Sequence, residues 1–288
     1  MDKSGMNADT ALLPYFAKPR GCDIVVGNAL DVLKAMEPGA YRCCVTSPPY
    51  WGLRDYGAPN QIGAESRIED YLSNLREVFR EVLRVLADDG TLWLNIGDAY
   101  TSGNRTWRAV DRKNPARGMD YRPPTPDGLK PKDLIGIPWR LAFLLQEDGW
   151  YLRSDIVWFK PNCQPESVKD RPTRAHEYLF LFSKSEKYYY DGEAIKEPSN
   201  SGGELRNRRT VWAINTEPFP GAHFATFPPK LIEPCILAAT AAGDRVLDPF
   251  LGSGTVGEVC LRLKRRFLGI ELKEEYAAMA RRRLGWED

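Results

Sequence analysis

The hexapeptide Thr46-Ser47-Pro48-Pro49-Tyr50-Trp51 follows directly on the apolar run RCCVT. Two consecutive prolines fix their φ angles and remove two N–H donors, so Ser47, Pro48, Pro49 and Tyr50 present a stiff arc of carbonyl and hydroxyl oxygens. An amino group entering that arc meets acceptors only, which orients its hydrogens and turns its nitrogen lone pair toward an electrophile. Tyr50 adds a flat face on which a base drawn out of a duplex could stack, worth about 1 to 3 kcal/mol, and Trp51 is a candidate second wall. A rigid turn packed on the core is the other reading of the same residues.

A second stretch with chemical meaning is Val246 to Thr255, VLDPFLGSGT, which reads as a strand, a glycine turn and the start of a helical pattern over Val256 to Leu263. Gly252 and Gly254 permit positive φ and a close approach of ligand to backbone. The next apolar run ends at Gly269-Ile270-Glu271, where an acidic side chain can take ribose hydroxyls. The third glycine of a dinucleotide fingerprint is missing, Gly257 comes too early for it, and no G-x-x-x-x-G-K-[ST] occurs. A ligand with adenosine and ribose but no pyrophosphate fits these omissions better than NAD or ATP, which describes S-adenosylmethionine.

Both stretches need a scaffold that places them together. Short β-branched runs alternate with helical patterns, predicting an α/β fold with a mostly parallel sheet covered by helices on both faces. Strands are expected at Cys22 to Val26, Arg42 to Thr46, Thr91 to Ile96, Trp150 to Trp158, Glu177 to Phe182, Arg245 to Asp248 and Phe267 to Glu271. Between them, Ile68 to Leu86 carries a helical stripe through Leu72, Leu75, Val78, Phe79, Val82 and Leu83, ended by Asp88-Asp89-Gly90. In open sheets of this class active groups lie beyond the carboxyl ends of strands, where the proline loop and the glycine turn both fall.

The 288 residues, 43% hydrophobic and 27% charged, suit one well-cored globular domain and argue against disorder as the main state. With 40 Lys and Arg against 39 Asp and Glu, contact with a polyanion must come from local clusters. One such cluster lies between Tyr100 and Lys132, where Arg105, Arg108, Arg112, Lys113, Arg117 and Arg122 interleave with Trp107 and Tyr121. That mix suits a phosphate backbone and exposed bases, although a solvated loop would look alike. A second lies between Ser183 and Phe224, where Arg206, Arg208 and Arg209 precede a short apolar strand. The six cysteines form no CxxC pair, no metal site is expected, and no stretch reads as an export signal or a membrane span, so a cytoplasmic location is expected. His176 and Glu177 could suggest an acid–base pair, but a sulfonium methyl demands positioning of the attacking amine more than its prior deprotonation, so the bland reading is preferred. Pro234-Cys235, the one pair that could serve a C5-cytosine nucleophile, lies in a helical pattern from Leu231 to Ala239 and reads as packed helix.

Taken together, the motifs resemble the amino methyltransferases of DNA, N4-cytosine and N6-adenine, of restriction-modification systems and phages. The resemblance runs from about residue 21 onward. TSPPYW resembles the catalytic motif and VLDPFLGSGT the cofactor motif; Gly269-Ile270-Glu271 is similar to the ribose-binding motif, and Gly27-Asn28-Ala29-Leu30 to the one beside the adenine, where the family more often has Asp at the position of Asn28. HFATFPPKLIEPCI, with Phe227, resembles the motif closing over the methionine end. The resemblance implies that Asp248, Phe250, Gly252, Ser253, Gly254, Thr255 and Glu271 hold the donor. It also implies a circular permutation, since the catalytic motif precedes the cofactor motif. The implied organisation is a tail at 1–20, a catalytic half at 21–182 carrying the basic insertion 100–132, a small target-recognition region at 183–224 and a cofactor half at 225–288. Ser47 is more typical of cytosine-N4 enzymes, with adenine N6 as the alternative; an RNA or protein methyltransferase and a silent DNA-binding protein are the further alternatives. Double-stranded DNA, a cognate restriction endonuclease and a second copy of the chain are the implied partners.

Overall fold

A computed structural model describes residues 20–58, 60–102, 107, 121–199, 202–217 and 226–286. Among the described residues the elements in chain order are β1 (Asp23–Val26), α1 (Ala29–Lys34), β2 (Tyr41–Thr46), α2 (Ile68–Val85), β3 (Leu86–Ile96), α3 (Ile137–Glu147), β4 (Tyr151–Phe159), β5 (His176–Ser183), β6 (Glu197–Pro198), β7 (Leu205–Arg206), β8 (Val211–Ala213), α4 (Pro229–Ala239), β9 (Arg245–Asp248), α5 (Thr255–Arg262), β10 (Arg266–Glu271) and α6 (Glu274–Arg283), with a 3₁₀ turn at Glu193–Ile195. The seven runs expected as strands all form strands of one eight-stranded sheet, ordered β1-β10-β9-β2-β3-β5-β4-β8. Pairing is parallel from β1 through β3, antiparallel on both sides of β5, and parallel again between β4 and β8.

Alternation along the strands sends side chains to two cores. Cys43, Val45 and Val246 join the core under α4, α5 and α6, whereas Cys44 and Leu247 join the one under α1, α2 and α3. The expected stripe of α2 is buried at Leu72, Leu75, Val78, Phe79 and Val82, and Glu69 and Asp70 stand in its first turn, where the helix dipole favours them. Among the described residues no helix is long and apolar enough to cross a membrane.

One boundary differs from expectation. Asp88-Asp89-Gly90, read as a stop after α2, lies inside β3, because Leu86 is already extended at φ −73° and ψ 144°. The segment breaks the ladder with β2, which steps from Tyr41 opposite Leu86 to Cys43 opposite Thr91, and it is held from outside: Arg42 pairs with Asp89, the Tyr189 amide donates to the Asp89 carbonyl at 3.1 Å, and the Lys184 amide to the Gly90 carbonyl at 3.1 Å. The turn-forming residues are thus accommodated as an irregularity between the two paired ends of β3.

The chain leaves β9 through α5 for β10 on one side, and leaves β2 through α2 for β3 on the other. β2 and β9 are neighbours, in register at Cys43 with Val246 and Cys44 with Leu247. Their carboxyl ends therefore flank the point where the connections diverge, the crevice that open α/β sheets use for ligands.

Gly257 has a packing role. A Cβ there would stand 2.6 Å from Cζ of Phe267, a ring buried beneath α5 and stacked on Trp286 at 5.5 Å. Since the ring cannot retreat, Gly257→Ala should lower stability by about 1–2 kcal/mol despite the better helix propensity of alanine. Urea unfolding checks this; a raised midpoint would show that Phe267 has room to move.

Candidate active site

Thr46 is the last residue of β2 and Asp248 the last of β9, and the Thr46 hydroxyl donates to Asp248 Oδ1 at 2.6 Å. The same oxygen accepts from the Phe250 amide at 3.1 Å. One carboxyl thus fastens the start of the proline loop to the start of the glycine turn. Asp248 is 1% exposed, and burial pushes its carboxyl up to about 7 against the pull of these hydrogen bonds.

Beyond this tie the two loops share one cavity. Ser47, Pro48, Pro49 and Tyr50 line it together with Phe250, Gly252, Ser253, Thr255, Glu271, Asn28 and Phe227. Two residues expected on the ligand lie behind the wall instead. Asp248 is engaged in the tie, and Gly254, at φ +83°, turns the chain into α5 with its Cα packed so closely on Ala280 that a Cβ would come within 3.0 Å.

The Gly252 amide donates to Glu271 Oε2 at 2.9 Å and the Lys273 amide to Oε1 at 3.1 Å. Burial raises this carboxyl above its ordinary range, with both amide bonds opposing the rise. Each oxygen keeps lone-pair capacity for a hydroxyl donor. Asn28 is the N-cap of α1: its Oδ1 accepts from the Leu30 amide at 2.9 Å and the Asp31 amide at 3.4 Å, so its oxygen is already engaged. The residues present fit an adenosine-bearing, cationic methyl donor.

Sequence reasoning missed the segment that covers this cavity. Arg54, Tyr56 and Gln61 line it opposite Lys273 and Tyr276. Gln61 Oε1 accepts from the Tyr56 amide at 2.8 Å, Lys273 Nζ donates to the Tyr56 carbonyl at 2.8 Å, and the Tyr56 and Tyr276 rings meet edge to face at 6.4 Å. These residues carry no motif, and only the fold brings them over α6.

The proline loop is braced from below. The Tyr71 hydroxyl of α2 donates to the Pro49 carbonyl at 2.8 Å, and the Leu53 amide to the Tyr50 carbonyl at 3.2 Å, so these two expected acceptors already hold bonds. The Tyr50 ring lies against Gly97, where a Cβ would come 2.6 Å from Cε2. Its hydroxyl donates to Glu177 Oε2 at 2.9 Å and approaches Asn95 Oδ1 at 3.4 Å. Burial first and the Glu177 charge next hold this phenol well above its ordinary pKa, while a Ser47 side-chain hydrogen bond works the other way.

Trp51 corrects an expectation. It is 6% exposed within the core under α2, and its indole N–H donates to the Glu65 carbonyl at 2.8 Å, so no open face remains for a base. Of the expected DNA contacts, Arg105, Arg108, Arg112, Lys113 and Arg117 lie outside the described residues. Arg206 pairs with Glu197 at 2.9 Å, Arg208 lies 4.4 Å over the Trp212 ring, and Arg209 is exposed. The Cys235 thiol is buried in α4, donates to the Leu231 carbonyl and is held well above its ordinary pKa by burial, which does not suit a nucleophile.

With this geometry in hand, the family described as DNA methylase matches residues 41–282. The Type II methyltransferase M.Cfr9I of Citrobacter freundii is 66% identical over 268 residues, 93% of this chain and 89% of the relative. The Type II methyltransferase M.SmaI of Serratia marcescens is 63% identical over 92% of this chain and 91% of its own. A candidate DNA modification methylase of Thermus thermophilus, solved in complex with S-adenosyl-L-methionine, is similar at TM-score 0.60 and 26% identity, covering 91% of this chain and 93% of that one. The PvuII cytosine-N4-specific DNA methyltransferase shares the fold at TM-score 0.69 and 23% identity, over 93% of this chain and 87% of its own.

The tie between the loops has a pH signature. Because the folded state raises the Asp248 carboxyl from 3.8 to about 7, it favours the protonated form; this stabilisation is complete below 3.8 and is lost as pH rises through about 7. Asp248→Asn, neutral throughout and still an acceptor for Thr46, should flatten that fall. Unfolding midpoints of the ligand-free protein measured across this range check it, and identical slopes for variant and wild type would show that burial does not hold the carboxyl up.

Proposed function

The chain belongs to the DNA methylase family, and from that membership we propose that it transfers methyl groups to the exocyclic N4 of cytosine in duplex DNA. S-adenosylmethionine is the donor. The observation that carries the reading is the single cavity in which Ser47, Pro48, Pro49 and Tyr50 stand beside Phe250, Gly252 and Glu271, with Thr46 and Asp248 bonded beneath. The choice of cytosine rests on Ser47 at the head of the proline pair.

When bound, S-adenosylmethionine supplies an electrophilic sulfonium methyl to the attacking amino nitrogen and leaves as a neutral thioether. Glu271 accepts hydroxyl donors of its ribose, and Phe250 and Phe227 furnish apolar wall. Ser47 Oγ and the Pro48 carbonyl accept the hydrogens of the base amino group, which weakens conjugation of its nitrogen with the ring. Tyr50 stacks on the extruded base, backed by Gly97. The proton leaves after the N–C bond forms, when the nitrogen has become acidic. Arg209 and the basic residues between 100 and 132 hold the phosphate backbone. Methylation shields the modified site from a cognate endonuclease.

Incubating the protein with unmethylated duplex DNA and a donor carrying an isotopically labelled methyl, then hydrolysing the DNA to nucleosides, should place the label in N4-methylcytosine. Label in N6-methyladenine would overturn the base assignment, and label in neither would overturn the activity. Ser47→Ala should lower turnover by about a hundredfold while leaving donor affinity nearly intact. Loss of donor binding with turnover retained at saturation would place Ser47 on the wrong substrate.

A further inference from the structure

Glu177 stands on β5, two strands away from the proline loop, yet its carboxylate reaches Tyr50. Oε2 accepts from the Tyr50 hydroxyl at 2.9 Å and from Asn95 Nδ2 at 3.3 Å, and Asn95 in turn donates to the Tyr178 carbonyl at 3.1 Å. Oε1 pairs with Lys160 Nζ. Glu177 and Lys160 side chains are each 17% exposed, and the ammonium lies 4.1 Å over the Trp158 ring. A carboxylate so far from water is destabilising unless paired, and Lys160 supplies the pairing.

This ion pair serves one phenol. A hydroxyl donating to a carboxylate makes a charge-assisted bond, stronger than a neutral one. Gly97 meanwhile closes one side of the Tyr50 ring. A ring tethered at its hydroxyl and backed by a residue without a side chain has lost its freedom to swing before any base arrives. We propose that Glu177, kept in place by Lys160 and Asn95, is a positioning residue for methyl transfer that acts through the Tyr50 hydroxyl to fix the plane on which the target base stacks. The proposal rests on the reading of Tyr50 as the stacking face. Glu177 makes no contact with the base or the donor in this role, and neither gains nor loses a proton during turnover.

The test is a double-mutant cycle in the full-length protein, reading turnover on unmethylated duplex DNA, donor affinity and thermal midpoint. Glu177→Gln and Tyr50→Phe should each lower kcat by about tenfold with donor affinity unchanged, and the double variant should be no slower than the slower single one. Lys160→Met combined with Glu177→Gln removes both charges and leaves the Tyr50 hydroxyl without its carboxylate; it covers the case in which Glu177→Gln alone fails to fold, and the same loss of kcat is expected. Fully additive effects of Glu177→Gln and Tyr50→Phe, or wild-type kcat in the charge-free pair, would overturn the positioning role. Tyr50→Ala separates the two ideas: retained turnover there would sink the stacking reading itself, whereas a large loss beside a harmless Glu177→Gln would sink only the role of Glu177.

Discussion

A hydrogen bond of 2.6 Å between residues 202 apart in sequence, Thr46 and Asp248, is the constraint on which the site depends. Each residue ends a strand, and the strands are neighbours, so the sheet brings the two chain ends to within a few ångströms. The sheet alone does not fix what the loops beyond them do. The bond does, because Asp248 also holds the Phe250 amide and so binds the first turn of each loop to the other. Any displacement of the glycine turn is then felt at Ser47. For a reaction in which a carbon passes in line between two substrates held by two loops, such mutual registration decides the rate, since small misplacements of reacting atoms slow it steeply.

The electrostatics of the cavity follow from the same arrangement. Two carboxyls lie in or under it, and burial raises both. Asp248 faces inward and serves the scaffold. Glu271 faces the cavity and keeps lone pairs for a ligand, with the Gly252 and Lys273 amides pulling its carboxyl back toward the ionised form. A donor with a hydroxylated sugar suits these free lone pairs.

The fold and the two motif loops were legible in the sequence because their signals are local. Continuous apolar runs mark strands buried on both faces, and the loops carry unusual residues immediately after those runs. What escaped reading is set by contacts between elements. Tyr71 falls within the helical stretch Ile68 to Leu86, Gly97 just past the strand expected to end at Ile96, and Glu177 has a chemical reading only as an acid–base partner of His176, yet all three converge on the proline loop. Trp51 was misread for the same reason, since an aromatic beside a catalytic loop can face either the ligand or the core, and here the Glu65 carbonyl draws its indole inward. Asp88 to Gly90 keep their turn character inside a strand, as the break in the β2–β3 register between Leu86 and Thr91.

The sheet also sets the cavity apart from its arginine-bearing edge. The donor turn and the proline loop hang from β9 and β2 in the middle of the sheet, where each strand is paired on both sides. Arg206, Arg208 and Arg209 lead into β8, three residues long, paired on one side with β4 and exposing Val211. Trp212, the middle residue of β8, is buried in the same core cluster as Cys43, Val45 and Val246, whereas Val211 and Ala213 face outward, so only the outward positions can change without disturbing that core. The route back from this edge to the chemistry is nonetheless short. β8 pairs with β4, Trp158 of β4 donates its indole N–H to the Ile214 carbonyl at 2.8 Å, and Lys160 lies over that indole while it pairs with Glu177. Strands β4 and β5 thus link this edge to the Glu177 carboxylate that holds the Tyr50 hydroxyl.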